Sequence, residues 1–252
     1  MMKKLTLVLT ALSFYAFSFA QSDTLTRIGA PAPAVKRDWS KMNLSNRAND
    51  HLVIQLGYVG WAAKPDSIKT KGLPRSLSVY FMLDFPFKTD PRFSVGIGAG
   101  ISGSSIGFDK TIVQIAGNST KLNFKNVSDT SQFKKFKLTT VYAEVPVELR
   151  YTVHPEHNAK SWKFVVGAKI GTMLNAHTKG KTLQTKTGTT LNAYTLKESS
   201  KRYFNGTRLS GTARIGYGIF SVFGTYQINQ FIKEGLGPNV HPYSVGLCIS
   251  GL

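Results

Sequence analysis

The chain has 252 residues, one cysteine and a formal net charge of +19 from 32 Lys and Arg against 13 Asp and Glu. A lone cysteine, Cys248, excludes an internal disulfide, so the fold must be held by an apolar core or by a closed hydrogen-bonded sheet. The positive excess points to an anionic partner, and the export signal at the start of the chain argues against nucleic acid.

Residues 1–20 open Met1-Met2-Lys3-Lys4, run apolar from Leu5 to Phe17 and end Ser18-Phe19-Ala20. A basic start, a short apolar stretch and small residues before the cut predict a cleaved secretory signal peptide. The residue directly after it is Gln21 and not a cysteine, which argues against a lipoprotein anchor. No segment reaches the ~20 apolar residues that a membrane helix needs. Residues 21–50 carry Ala30-Pro31-Ala32-Pro33-Ala34 and mixed charges without periodicity, the composition of a periplasmic leader or linker. The folded domain is expected over residues 51–252.

From residue 52 the pattern has a period of two, which puts successive side chains on opposite faces of a strand. Strand one covers residues 52–61, strand two 77–87 and strand three 93–101. Strand four is the plainest. In it Val141, Ala143, Val145, Val147, Leu149, Tyr151 and Val153 face Tyr142, Glu144, Glu148, Arg150 and Thr152. It extends as far back as Phe136, but Phe136 and Leu138 are out of parity with Val141, which predicts a bulge. Pro146, unable to donate to a ladder, predicts a second bulge or a kink. Strands five to eight follow over residues 162–174, 207–217, 220–228 and 243–251.

Short connections at residues 88–92, 154–161 and 218–219 alternate with long ones. Gly218-Ile219 suits a two-residue type II′ turn. The pattern predicts an all-β fold: an eight-stranded antiparallel up-and-down transmembrane β-barrel with short periplasmic turns and long outer loops. Phe87, Phe93, Tyr151, Trp162, Tyr217 and Phe220 share the lipid-facing parity and sit beside the short turns, as an aromatic girdle would. The first three long links carry net charges of +3, +3 and +5. Basic loops of that kind face lipopolysaccharide phosphates or anionic glycans, or are simply solvated.

Asp84, Glu144 and Glu148 share the inward parity with Arg150, Lys163, Lys169, Arg208 and Arg214. In a narrow barrel these charges must pair, because an unpaired buried charge costs several kcal/mol. A lumen filled by their network is expected, with a small gated pore as the alternative. Glu144 and Glu148 stand roughly 13 Å apart along one strand, too far for a paired-carboxylate hydrolase. Gly96-Ile97-Gly98-Ala99-Gly100 lies inside a strand with no helix after it, so its glycines make room in the lumen and cradle no phosphate. His154-Pro155-Glu156-His157 reads as a plain turn, not as a metal site. No catalytic residue, cofactor or metal is assigned.

With these residues in hand, the chain resembles the PorT-like outer-membrane β-barrel family of Gram-negative bacteria. The resemblance rests on Tyr142-Ala143-Glu144-Val145-Pro146-Val147-Glu148-Leu149-Arg150-Tyr151, on Phe220 to Tyr226, on Gly235-Leu236-Gly237-Pro238 and on Tyr243 to Leu247. It spans about residues 50–252 and implies outer-membrane localisation, with one class of members supporting protein secretion. One departure is the ending Ser250-Gly251-Leu252, where such barrels commonly end in an aromatic residue. The expected function is non-enzymatic: a structural or surface-interaction role through basic outer loops, with outer-membrane lipid and lipopolysaccharide phosphates as partners. The alternatives are a secretion or assembly accessory and a small gated pore. A membrane lipid hydrolase and a soluble ligand-binding barrel are the remaining competitors.

Overall fold

The computed structural model describes residues 51–251. The signal peptide and leader expected over residues 1–50 lie outside the described residues. In chain order the strands are β1 (Leu52–Ala62), β2 (Arg75–Pro86), β3 (Phe93–Phe108), β4 (Thr111–Gln114), β5 (Asn123–Asn126), β6 (Gln132–Thr152), β7 (Trp162–Gln184), β8 (Thr190–Ser199), β9 (Thr207–Tyr217), β10 (Phe220–Gln227) and β11 (His241–Ser250). Eight of them, β1, β2, β3, β6, β7, β9, β10 and β11, pair antiparallel with their neighbours in chain order. The β1–β11 ladder closes the ring, so the expected eight-stranded up-and-down barrel is the observed one.

Short turns join β2 to β3, β6 to β7 and β9 to β10 at one end. Gly218 adopts φ +60 in the last of these, a value that side chains resist and glycine accepts. The other end carries the long connections. One contains the β4–β5 hairpin, and another contains β8, which among the described residues pairs only with the far part of β7.

Nearer the short turns the barrel is apolar outside and largely polar within, where a small cluster of Val53, Tyr80, Met82, Phe223 and Cys248 accompanies the polar residues. Leu77, Val79, Phe81, Leu83 and Phe85 on β2 point outward and are 41–59% exposed, whereas Ser76, Ser78, Tyr80 and Met82 are buried inside. A closed barrel with such a belt matches a bilayer-solvated surface.

Nearer the long loops the polarity inverts. Ile106 and Phe108 on β3, and Phe136 and Leu138 on β6, point inward into a cluster with Trp61, Tyr203, Phe204 and Phe231. Trp61 packs its ring 5.5 Å from Phe231 and 5.6 Å from Phe108, and Phe204 lies 5.0 Å from Phe231. Tyr203 donates its hydroxyl to the carbonyls of Gly117 and Ser119, which ties two long connections together. This half has the inside-out logic of a water-soluble barrel.

The inversion corrects two expectations, and the strand register corrects a third. β3 and β7 run on to Phe108 and Gln184, past the predicted ends at residues 101 and 174, because only their outer apolar alternation stops there. Phe136 and Leu138 keep the inward parity of Tyr142 and Glu144, so β6 needs no bulge before Val141. The shift in register lies instead on β7. Val141 pairs with Asn175 and Tyr142 with Met173, which leaves Leu174 as the extra residue. Pro146, in turn, stays buried and in register opposite Lys169, with no bulge. Its missing donor shows only as a gap in the β3–β6 pairing between Ile97–Val147 and Gly100–Glu144.

Candidate functional site in the lumen and on the outer rim

The strict alternation of the membrane-facing half turns every second residue inward, and all eight charged residues singled out from the sequence lie there. Glu144, Glu148, Arg150, Lys163, Lys169, Arg208 and Arg214 are each 3–8% exposed, and the Asp84 side chain is 5% exposed. Two groups form.

Toward the short turns, Glu148 Oε2 accepts from Arg214 Nη2 at 2.6 Å and from Arg150 Nη2 at 2.9 Å, and Arg150 also reaches Asp84 at 3.5 Å. Deeper in, Glu144 accepts from the Tyr80 hydroxyl at 2.6 Å and from Arg208 Nη1 at 3.1 Å. Lys169 Nζ donates to Gln55 Oε1 at 2.9 Å and to the Tyr80 oxygen at 3.2 Å, and lies over the Tyr80 ring. The lumen glycines supply the room: a Cβ on Gly96 would stand 2.7 Å from the Arg150 guanidinium, and one on Gly100 2.6 Å from the Tyr80 ring. Above the charges the apolar cluster closes the space. A cavity of about 10 Å³ remains between Trp61, Tyr142, Arg208 and Phe231, the volume for about one water.

At the short-turn end five of the six aromatic residues meet across ladders. Phe93 pairs with Tyr151, ring centroids 4.9 Å apart, and Tyr217 pairs with both Trp162 and Phe220. Phe87 is 45% exposed just beyond β2. Asp90 caps the adjacent turn by accepting from the Arg92 guanidinium, which holds its carboxyl below the usual carboxylate range.

The outer rim holds a second array. Beyond Leu174 the outward positions of β7 turn basic. Lys135 on β6 stands directly opposite Lys181 on β7, Lys137 opposite Lys179, and Lys179 opposite Lys197 on β8. None of these five lysines has an ion-pair partner among the described residues. His177 lies beside them, and its imidazole is pushed below its ordinary 6.5, first by burial and then by Lys197, Lys137 and Lys179.

The model of the outer membrane protein beta-barrel domain matches residues 41–236. The chain belongs to this outer-membrane barrel family. No curated protein matches it. Among solved structures it is similar to Ail, the attachment invasion locus protein of Yersinia pestis. The structure of Ail in complex with the heparin analogue sucrose octasulfate aligns at 12% identity with a TM-score of 0.33. A second Ail structure aligns at 14% identity with a TM-score of 0.30. Each comparison covers 79% of this chain and 95% of the other.

For this outer-membrane barrel, parity alone locates the inward charges. Sequence reasoning missed their neutral partners, Tyr80 and Gln55, because it weighed charges and passed over the hydroxyl and amide on the same parity. It also missed the lysine array. Lys135 and Lys137, then Lys179 and Lys181, each recur two residues apart, a same-face signal visible in the sequence once those segments are read as strand.

Proposed function

We propose that this outer-membrane barrel is a non-enzymatic surface-interaction protein whose basic outer face binds polyanionic carbohydrate. The supporting observation is the register of Lys135, Lys137, Lys179, Lys181 and Lys197 across β6, β7 and β8. Like charges directly opposite each other are unfavourable in a ladder. A polyanion laid across the three strands turns that repulsion into attraction. The lumen network and the apolar cluster above it act as a plug that keeps the barrel rigid. The same reading includes a signal peptide over residues 1–20, a periplasmic leader over residues 21–50, an interfacial role for the aromatic girdle and a place among the PorT-like barrels.

The test is binding of dextran sulfate to the detergent-solubilised full barrel, with neutral dextran as control. Affinity should fall as salt rises, because bound counterions are released. It should also drop in the Lys137→Gln/Lys179→Gln/Lys197→Gln variant. Equal binding of neutral dextran, or an unaffected triple variant, would refute the reading.

A further inference from the structure

A groove of about 710 Å³ runs up the outer surface of the barrel beside the lysine array. Its floor is the outward side of β3, where Gly103, Ser105 and Gly107 leave no bulky side chain. One wall is Arg75 at the start of β2 and the connection before it. That connection is pinned to β3: Lys71 N–H donates to the Gly107 carbonyl, and Asp109 N–H to the Lys69 carbonyl, both at 2.9 Å. The opposite wall is Lys135 and Lys137 on β6, with Lys134 above. The lower lip is Leu56 and Leu77, 60% and 53% exposed, at the top of the apolar belt.

Two properties select the occupant. The first is charge: five cations surround the groove, and among the described residues only Lys71 is paired, to Asp109 at 3.1 Å. Arg75, Lys134, Lys135 and Lys137 have no ion-pair partner among the described residues. The second is continuity, since the groove opens downward onto the apolar belt. A soluble anion would use the cations and leave Leu56 and Leu77 unused. A membrane lipid with a phosphorylated head uses both.

We propose that this groove holds a phosphorylated outer-leaflet lipid, with its phosphate between the Arg75 and Lys137 walls and its acyl chains against Leu56 and Leu77. Strand spacing puts those walls about 10 Å apart, on either side of β3, which suits a head group wider than one phosphate. The Arg75 guanidinium offers a planar fork of donors to phosphate oxygens. The site differs from the carbohydrate surface, because Arg75 sits on β2 and the array continues away from it onto β7 and β8.

The experiment is native mass spectrometry of the full barrel released from neutral-detergent micelles, with diphosphoryl lipid A as the probe and its dephosphorylated form as control. The wild-type barrel should retain the phosphorylated lipid. Arg75→Glu should reduce its occupancy about tenfold, because each surface cation contributes on the order of 1 kcal/mol to anionic lipid binding. Arg75→Gln should show a smaller loss and serves if the charge reversal fails to fold. The Lys179→Gln/Lys197→Gln variant should retain the lipid, which separates this site from the carbohydrate surface. Equal retention of dephosphorylated lipid, or full retention by both Arg75 variants, would overturn the proposal. Loss of dextran sulfate binding without loss of lipid in Arg75→Glu would overturn it too, by giving the groove to a soluble polyanion.

Discussion

Arg214 on β9 and Arg150 on β6 donate to the same Glu148 oxygen, at 2.6 Å and 2.9 Å, so one carboxylate holds two buried guanidinium groups. Removing one partner of a buried ion pair leaves an uncompensated charge and costs roughly 3–5 kcal/mol. Glu148→Ala is therefore expected to lower the temperature at which the folded barrel loses its fast migration in unboiled gels. Glu148→Asp should lie between the two. An unchanged transition in the alanine variant would show that the pairs do not support the barrel.

The β3 glycines separate two kinds of position on one strand. A Cβ on Gly100 would stand 2.1 Å from the Val79 carbonyl oxygen, whereas the nearest such atom to Gly103 lies at 3.8 Å. Gly100→Ala should lower the folded yield sharply, and Gly103→Ala should fold like the wild type. Refolding yields in detergent, scored by the gel shift, decide the matter, and equal yields would contradict the packing described for the lumen.

The apolar cluster at the long-loop end makes a prediction about where stability resides. Phe231→Ala deletes a ring that touches Trp61 and Phe204, a change that costs about 3–5 kcal/mol in a packed core. Hydrogen exchange should speed up in the long connections, around residues 115–122 and 228–240, while amides of β2 and the first half of β3 keep their protection. Uniform acceleration around the barrel would mean that the two halves are one cooperative unit.

His177 reports on the lysine array. Its folded pKa lies below the unfolded 6.5, so the folded state binds fewer protons between those values. The favourable contribution of the neutral ring is complete above about 6.5 and is lost as pH falls through that window toward the folded pKa. An NMR titration of His177 should show a midpoint below 6.5 that rises in Lys179→Gln, and rises again when dextran sulfate is bound. A midpoint insensitive to both would detach His177 from the array.

What the sequence reveals depends on which solvent each stretch faces. Thr207–Tyr217 alternates cleanly because its outward side carries no charge and is apolar from Leu209 on, and its predicted and observed bounds coincide. β3 and β7 appear shorter in sequence because their upper parts put Ile106, Phe108 and Ala176 inside and polar residues outside, which reverses the rule used to recognise them. The parity break at Val141 had a real cause, a change of surroundings, and the extra residue sits on the neighbouring strand at Leu174. Inward parity identified the lumen charges, but partner choice depends on register and barrel curvature. Nothing in the order of residues announces that Arg208 reaches Glu144 while Arg214 reaches Glu148.

The ladder that joins Val53 to Ser250 pairs the first described strand with the last. Contacts so distant along a chain are slow to form, because the loop entropy is lost before the pairing repays it. Until β11 arrives, β1 is a bare edge with a row of unbonded peptide groups that hydrocarbon cannot solvate. Insertion and ring closure are thus coupled: the chain cannot settle stably in lipid strand by strand, and its final hairpin, β10–β11, completes the seal for all the others.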